Sequence, residues 1–154
     1  MERSLLYVSR HALSMMDWEA TVTEIVSAAV IENESVGISG SLVCTHDHFA
    51  QLLEGPGVAL DELMNRIERD QRHTDITVLR VEAISRRRLP HWSLAYSGPS
   101  LYVERQIAPL IASTMETNAV RIERLITLLV GLSSHVSLHE PGSALPTIRC
   151  DGSD

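Results

Sequence analysis

Apolar and polar positions along the chain follow two different periods, and the switches between them mark out the elements. Residues 5–9 form a short apolar run of strand length, Leu5-Leu6-Tyr7-Val8-Ser9. Val22, Ile25, Val26, Ala29 and Val30 then recur at i, i+3, i+4 and i+7, which predicts a helix over residues 16–31 with Asp17 as its cap. Residues 37–45 read as a strand, Thr45-His46-Asp47-His48 as a turn, and residues 49–53 as the hairpin partner. Gly55-Pro56-Gly57 breaks the chain before a second helix carrying Leu60, Leu63, Met64 and Ile67 on one face. Residues 76–84 and 92–96 read as two further strands. The order β-α-β-β-α-β-β predicts an α+β fold of the ferredoxin-like, split-βαβ kind with an added strand. Two helices on one face of a mixed sheet leave a crevice between them, a natural ligand site.

The character changes after Gly98-Pro99. Val103, Ile107, Leu110, Ile111 and Met115 are helically spaced, and so are Ile122, Leu125, Ile126, Leu129 and Val130. These helices are too short for a domain and need the other face of the sheet, or a partner, to cover them. The expected division is a ligand-binding unit over residues 1–98, a helical extension over 99–134 packed on the sheet, and a mobile polar tail over 135–154.

Composition narrows the chemistry. A length of 154 residues suffices for a genuine core. The formal net charge of −7 argues against general binding to phosphate backbones, so Arg86-Arg87-Arg88 reads as a solvated or interface loop. No apolar run has the ~18 residues or more of a membrane span, and Met1-Glu2-Arg3 leads straight into a strand with no signal-peptide core. Cys44 in an apolar strand and Cys150 in the polar tail make no disulfide framework, which fits a cytoplasmic setting. None of the 13 basic residues is a lysine, which excludes Schiff-base and Walker-type chemistry. His46 and His48 supply at most part of a metal site, and none is expected.

Three polar residues interrupt segments that otherwise read as buried: Tyr7, Asn33 and Gln51. An unpaired buried polar group costs about 1–3 kcal/mol, so each needs a partner. Tyr7 alone reads as a core tyrosine with a satisfied hydroxyl. Asn33 alone reads as a helix C-terminal residue in the left-handed region. Gln51 is harder to dismiss, because strand interiors seldom bury an amide that offers two donors and one acceptor. Arg66 and Asp70, four apart, could be an exposed helical ion pair. Trp92 could be a large sheet hydrophobe.

Taken in order, these pieces resemble the BLUF family of flavin-using blue-light sensors, over about residues 4–97. The resemblance rests on Tyr7-Val8-Ser9-Arg10, Asn33 before Gly37-Ile38-Ser39-Gly40, and Phe49-Ala50-Gln51-Leu52-Leu53-Glu54-Gly55-Pro56. It continues through Arg66, Asp70, Arg72-His73, Arg86-Arg87-Arg88 and Trp92-Ser93-Leu94. It implies a non-covalently bound flavin, FAD more than FMN. Tyr7 would be the light-driven electron donor and Gln51 the amide whose hydrogen bonds to the ring rearrange, with Trp92 a secondary donor. Asn33 would pair with the ring's N3–H side, Arg66 with its C2 carbonyl and Asp70 near Arg66. Arg72 would reach the ribityl or carbonyl side, while Ile25, Phe49 and Ile67 flank the ring. Two departures stand out. Glu32 occupies a position where relatives often have asparagine, and Leu94 one where they usually have methionine, a residue tied to passing on the switch. With no fused catalytic domain, the implied output is a reversible, non-enzymatic change in a homo-oligomer or in a separate effector protein. The alternative is a ferredoxin-like ligand-binding or oligomerisation module without photochemistry.

Overall fold

The structure is a computed structural model that describes residues 1–13, 16–90, 94–112 and 119–136. Five strands form one mixed sheet: β1 (Glu2–His11), β2 (Ser39–Cys44), β3 (His48–Pro56), β4 (His73–Ala83) and β5 (Ala95–Ser97). Their order across the sheet is β4-β1-β3-β2-β5, with every neighbouring pair antiparallel except β2 and β5. The helices α1 (Trp18–Val36) and α2 (Gly57–Arg69) make the two crossovers of the split-βαβ plan. Strand alternation divides the core. Leu6, Val8, Val43, Ala50 and Leu52 share one cluster with Val103, Ile107, Ile111, Leu125 and Leu129. These last belong to a π-helical turn (Val103–Ile107), to α3 (Ala108–Ala112), and to α4 (Ala119–Val136). The alternate residues face α1 and α2 in two separate clusters, one around Val22, Val26, Phe49 and Leu94, the other around Leu5, Tyr7, Leu60 and Met64.

The elements depart from the sequence reading mainly at their ends. α1 starts at Trp18, and Asp17 makes no side-chain cap; its carbonyl instead accepts from Thr21 N–H at 3.0 Å. The helix also runs past residue 31 to Val36, because the exposed Glu32, Glu34 and Ser35 prolong it after the apolar stripe ends. Asn33 is therefore helical, and the left-handed terminus falls on Gly37 at φ 76°, where a missing Cβ removes the steric cost. β1, β3 and β4 are longer than expected, since partner strands extend the pairing into polar residues. β5 begins at Ala95, and Trp92 and Met115 lie outside the described residues, as does the tail from 137.

Buried side chains help tie the sheet to the C-terminal part of the chain. The wholly buried Glu54 accepts backbone N–H bonds from Arg88 (2.9 Å) and Leu89 (2.7 Å), which fixes the segment leading toward β5. On the α4 side, the buried Ser41 hydroxyl donates to the Leu129 carbonyl at 3.0 Å.

Candidate functional site

A cavity of about 240 Å³ opens between α1 and α2, above the middle of the sheet. One buried water needs only about 10–15 Å³ of such space, so the cavity has room for an organic ligand. Tyr7 from β1, Leu42 from β2, Phe49 and Gln51 from β3, and Leu94 line it on the sheet side. α1 contributes Ile25, Ala28, Ala29, Glu32 and Asn33, and α2 contributes Leu63, Arg66 and Ile67. Asp70, Arg72 and His73, from the turn into β4, also line it. The small Ala28 and Ala29 leave room where larger side chains on α1 would close the gap.

Tyr7 and Gln51 stand directly opposite each other in the β1–β3 register, and the Tyr7 hydroxyl donates to Gln51 Oε1. Both are buried, so each satisfies the other's polar atom at the cavity floor. Burial pushes the Tyr7 phenol well above its usual range, and the charge of Asp70 adds to this. Tyr7 is therefore protonated throughout the physiological range. Asn33 is also buried, on the α1 wall.

Two ion pairs line the cavity. Arg72 grips Asp70 bidentately, with Nη2 to Oδ2 at 2.6 Å and Nε to Oδ1 at 2.9 Å. That hydrogen bonding holds the Asp70 carboxyl below the usual carboxylate range. Arg66 Nη1 donates to Glu32 Oε2 at 2.8 Å. The i, i+4 pair between Arg66 and Asp70 is not formed. α2 ends at Arg69, and Asp70 takes an extended conformation (φ −78°, ψ 116°) that turns its carboxylate to the loop.

His73 is a cavity residue to which the sequence assigned no role. Its Nδ1 lies 2.9 Å from Ser9 Oγ, and its ring meets Phe49 (5.0 Å between centroids) and Tyr7 (6.2 Å, edge to face). Burial lowers its pKa to about 4, which leaves a neutral imidazole at neutral pH. Irregularities in the β1–β4 register on either side of Tyr7 and Val8 accompany this packing. His73 comes after Arg72 at a strand start with no periodic neighbours, so although Arg72-His73 belongs to the resemblance, spacing gave it no role. The cavity-lining Leu42 was hidden inside an apolar strand.

Of the residues singled out from sequence, Tyr7, Ile25, Asn33, Phe49, Gln51, Arg66, Ile67, Asp70 and Arg72 converge on this cavity. Trp92 lies outside the described residues. Among the described residues, no group of three or more His, Cys, Asp or Glu side chains could hold a metal, and no helix is long and apolar enough to cross a membrane.

The chain is similar to several known proteins. Photoactivated adenylate cyclase subunit beta of Euglena longa is 33% identical over 94 residues, or 59% of this chain and 10% of that protein. The alpha subunit from Euglena gracilis is 35% identical over 86 residues, or 54% of this chain and 8% of that protein. The chain thus spans about a tenth of the length of these relatives. Among solved structures, the dark state of BlrB, a BLUF protein, superposes with a TM-score of 0.73 at 30% identity, covering 87% of this chain and 96% of that one. Photo-activated BlsA gives 0.73 at 25% identity, covering 84% and 95%. A bacterial light-regulated adenylyl cyclase gives 0.63 at 26% identity, with 85% of this chain matching 40% of that one. The model of BLUF, sensors of blue-light using FAD, matches residues 3–95, more than half of the chain, and the protein belongs to that family of flavin photoreceptors.

Proposed function

We propose that this cavity holds the isoalloxazine ring of FAD and that the Tyr7–Gln51 pair is its light switch. The observation that carries the reading is the buried hydrogen bond between Tyr7 and Gln51 on the cavity floor. Bound there, the flavin supplies absorption of blue light and an electron acceptor that is strong while excited. Tyr7 is the donor, and its hydroxyl proton has a route along the existing bond to Gln51 Oε1. Oxidation makes a phenol far more acidic, so electron and proton can leave Tyr7 together along that bond. Gln51 is the one amide side chain on the floor among the described residues, with two donors and one acceptor. Rotating or tautomerising that amide exchanges donor for acceptor toward the ring without any covalent bond. Asn33 and Arg66 hold the polar edge of the ring, Asp70 orients Arg72, and Ile25, Phe49 and Ile67 fix its plane. FMN in place of FAD is compatible with the same residues, which all address the ring.

On this reading residues 1–98 sense light and the helical segment 99–134 passes the change to a second copy or to a separate cytoplasmic effector. Trp92 joins as a secondary donor close to the output strand. The aligned cyclases carry a catalytic activity of their own; none is assigned to this chain, whose light cycle turns over no substrate. The test is absorption spectroscopy. The purified protein should be yellow, shift reversibly to the red under blue light and recover in darkness. Gln51→Leu should keep the flavin and lose the shift, and a full-sized shift in that variant sinks the mechanism.

A further inference from the structure

Glu32 and Arg66 form a salt bridge between the two helices that wall the cavity, 2.8 Å from Arg66 Nη1 to Glu32 Oε2. Both side chains line the cavity and both are about half exposed (53% and 51%), so the bridge lies where the cavity meets solvent. The other cavity arginine is held differently. Arg72 grips Asp70 with Nε and Nη2 together. Arg66 uses one nitrogen for Glu32, and its other guanidinium N–H groups have no protein partner among the described residues. A guanidinium offers five donors in a rigid fork, so anchoring one edge fixes the direction of the rest. The bridge also offsets the charge of Arg66 where the cavity meets solvent.

From this arrangement we infer that Glu32 is a positioning residue for flavin: it aims the unused donors of Arg66 at the polar edge of the ring and neutralises the guanidinium charge there. This rests on the assignment of the cavity to flavin and of Arg66 to the ring edge. The arrangement has two consequences. Loss of the anchor lets a long, half-exposed arginine sample other rotamers, which weakens flavin binding. Loss of the carboxylate charge alone leaves a net positive group beside the ring, which favours the electron-rich reduced form over the oxidised one.

The experiment uses the full chain, with FAD as the probe, and two readouts: the dissociation constant and the midpoint potential of the bound flavin. Glu32→Gln can still accept from Arg66 but lacks charge. It should hold FAD with nearly native affinity and move the potential to a less negative value, an effect that shrinks at high salt. Glu32→Ala should weaken FAD binding several-fold in the native background. In an Arg66→Met background it should do nothing further, because the group it positions is gone. An unchanged potential in Glu32→Gln, or an equal affinity loss in both backgrounds, overturns the inference and leaves the flavin site standing. A native protein that binds no flavin overturns the site itself. An Arg66→Met variant with native affinity and potential removes Arg66 from the ring edge and the role of Glu32 with it.

Discussion

The two faces of the sheet are built from the same strands and behave as opposites. On one face Leu6, Val8, Ala50 and Leu52 meet the C-terminal helices in one continuous apolar cluster. On the other, each strand offers its alternate residues, and two clusters form with a cavity between them. β3 shows the contrast within neighbouring positions: Leu52 is buried among leucines, while Gln51 points its amide at a tyrosine and an open space. A closed face contributes stability by packing, each buried leucine adding about 1.5–3 kcal/mol. The open face gives up such packing and places polar groups where a ligand can meet them. Stability and sensing are thereby separated by the two-residue period of a strand.

The sharpest break of this comparison is to shave each face in turn. Leu52→Ala and Leu129→Ala, both at positions of 0% exposure, should each cost about 2–5 kcal/mol in urea unfolding of the flavin-free protein. Their light-induced spectral shift should survive wherever the protein stays folded. A comparable spectral loss from Leu52→Ala would mean that the faces are not independent.

The open face should instead show coupling within one pair. Tyr7→Phe strands Gln51 without its donor, and Gln51→Leu strands the Tyr7 hydroxyl without its acceptor, each costing about 1–3 kcal/mol. The double variant leaves no orphaned group and should be near native in stability, because removing both partners removes the penalty. Thermal or urea melts of the four proteins give the coupling directly. Simple additivity would show that the hydrogen bond contributes nothing. In the flavin-loaded form, Tyr7→Phe should also lose most of the red-shifted product, and a native yield would make Tyr7 structural.

How much of this was legible in the sequence depends on whether the signal was periodic or relational. The strand and helix order, and the stripes on the C-terminal segment, came from spacing alone. Tyr7, Asn33 and Gln51 were visible because a polar side chain in an apolar run contradicts its surroundings. Partners were not visible: the exchange of Arg66 from Asp70 to Glu32 depends on α2 ending at Arg69, a boundary that periodicity does not set. His73 was missed for a related reason, since its burial comes from Phe49 and Ser9, on other strands.

His73 gives the open face a pH dependence of its own. Its folded pKa of about 4 lies below the usual value of 6.5, so the unfolded chain takes up a proton before the folded one does. The stability tied to neutral His73 is present above about pH 6.5 and is lost as pH falls toward 4. The loss is on the order of 3 kcal/mol at most, from ~1.4 kcal/mol per pKa unit. Asp70, lowered by Arg72, adds a loss of the same sign at still lower pH. His73→Phe should flatten the fall in stability between pH 6.5 and 4 in urea melts of the flavin-free protein. An unchanged slope would place the titration elsewhere.

The smallest expected effect probes the link between the faces. Ser41 sits in β2 opposite Leu52 of β3, next to the pairing of Leu42 with Gln51, and its hydroxyl donates to the Leu129 carbonyl of α4. The bond is buried, and Ser41→Ala should cost about 1 kcal/mol, since the Leu129 carbonyl still accepts within the helix. Its larger consequence should be in communication. If rearrangement of Gln51 shifts β3 against β2, Ser41 carries that movement to α4. Hydrogen exchange in dark and light should then show altered protection in residues 101–132 of the native protein. Ser41→Ala should damp that difference around residues 125–133 while the flavin shift stays complete. Identical light and dark protection in the native protein would show that the signal leaves by another surface. An undiminished difference in Ser41→Ala would show that it crosses the sheet by another residue.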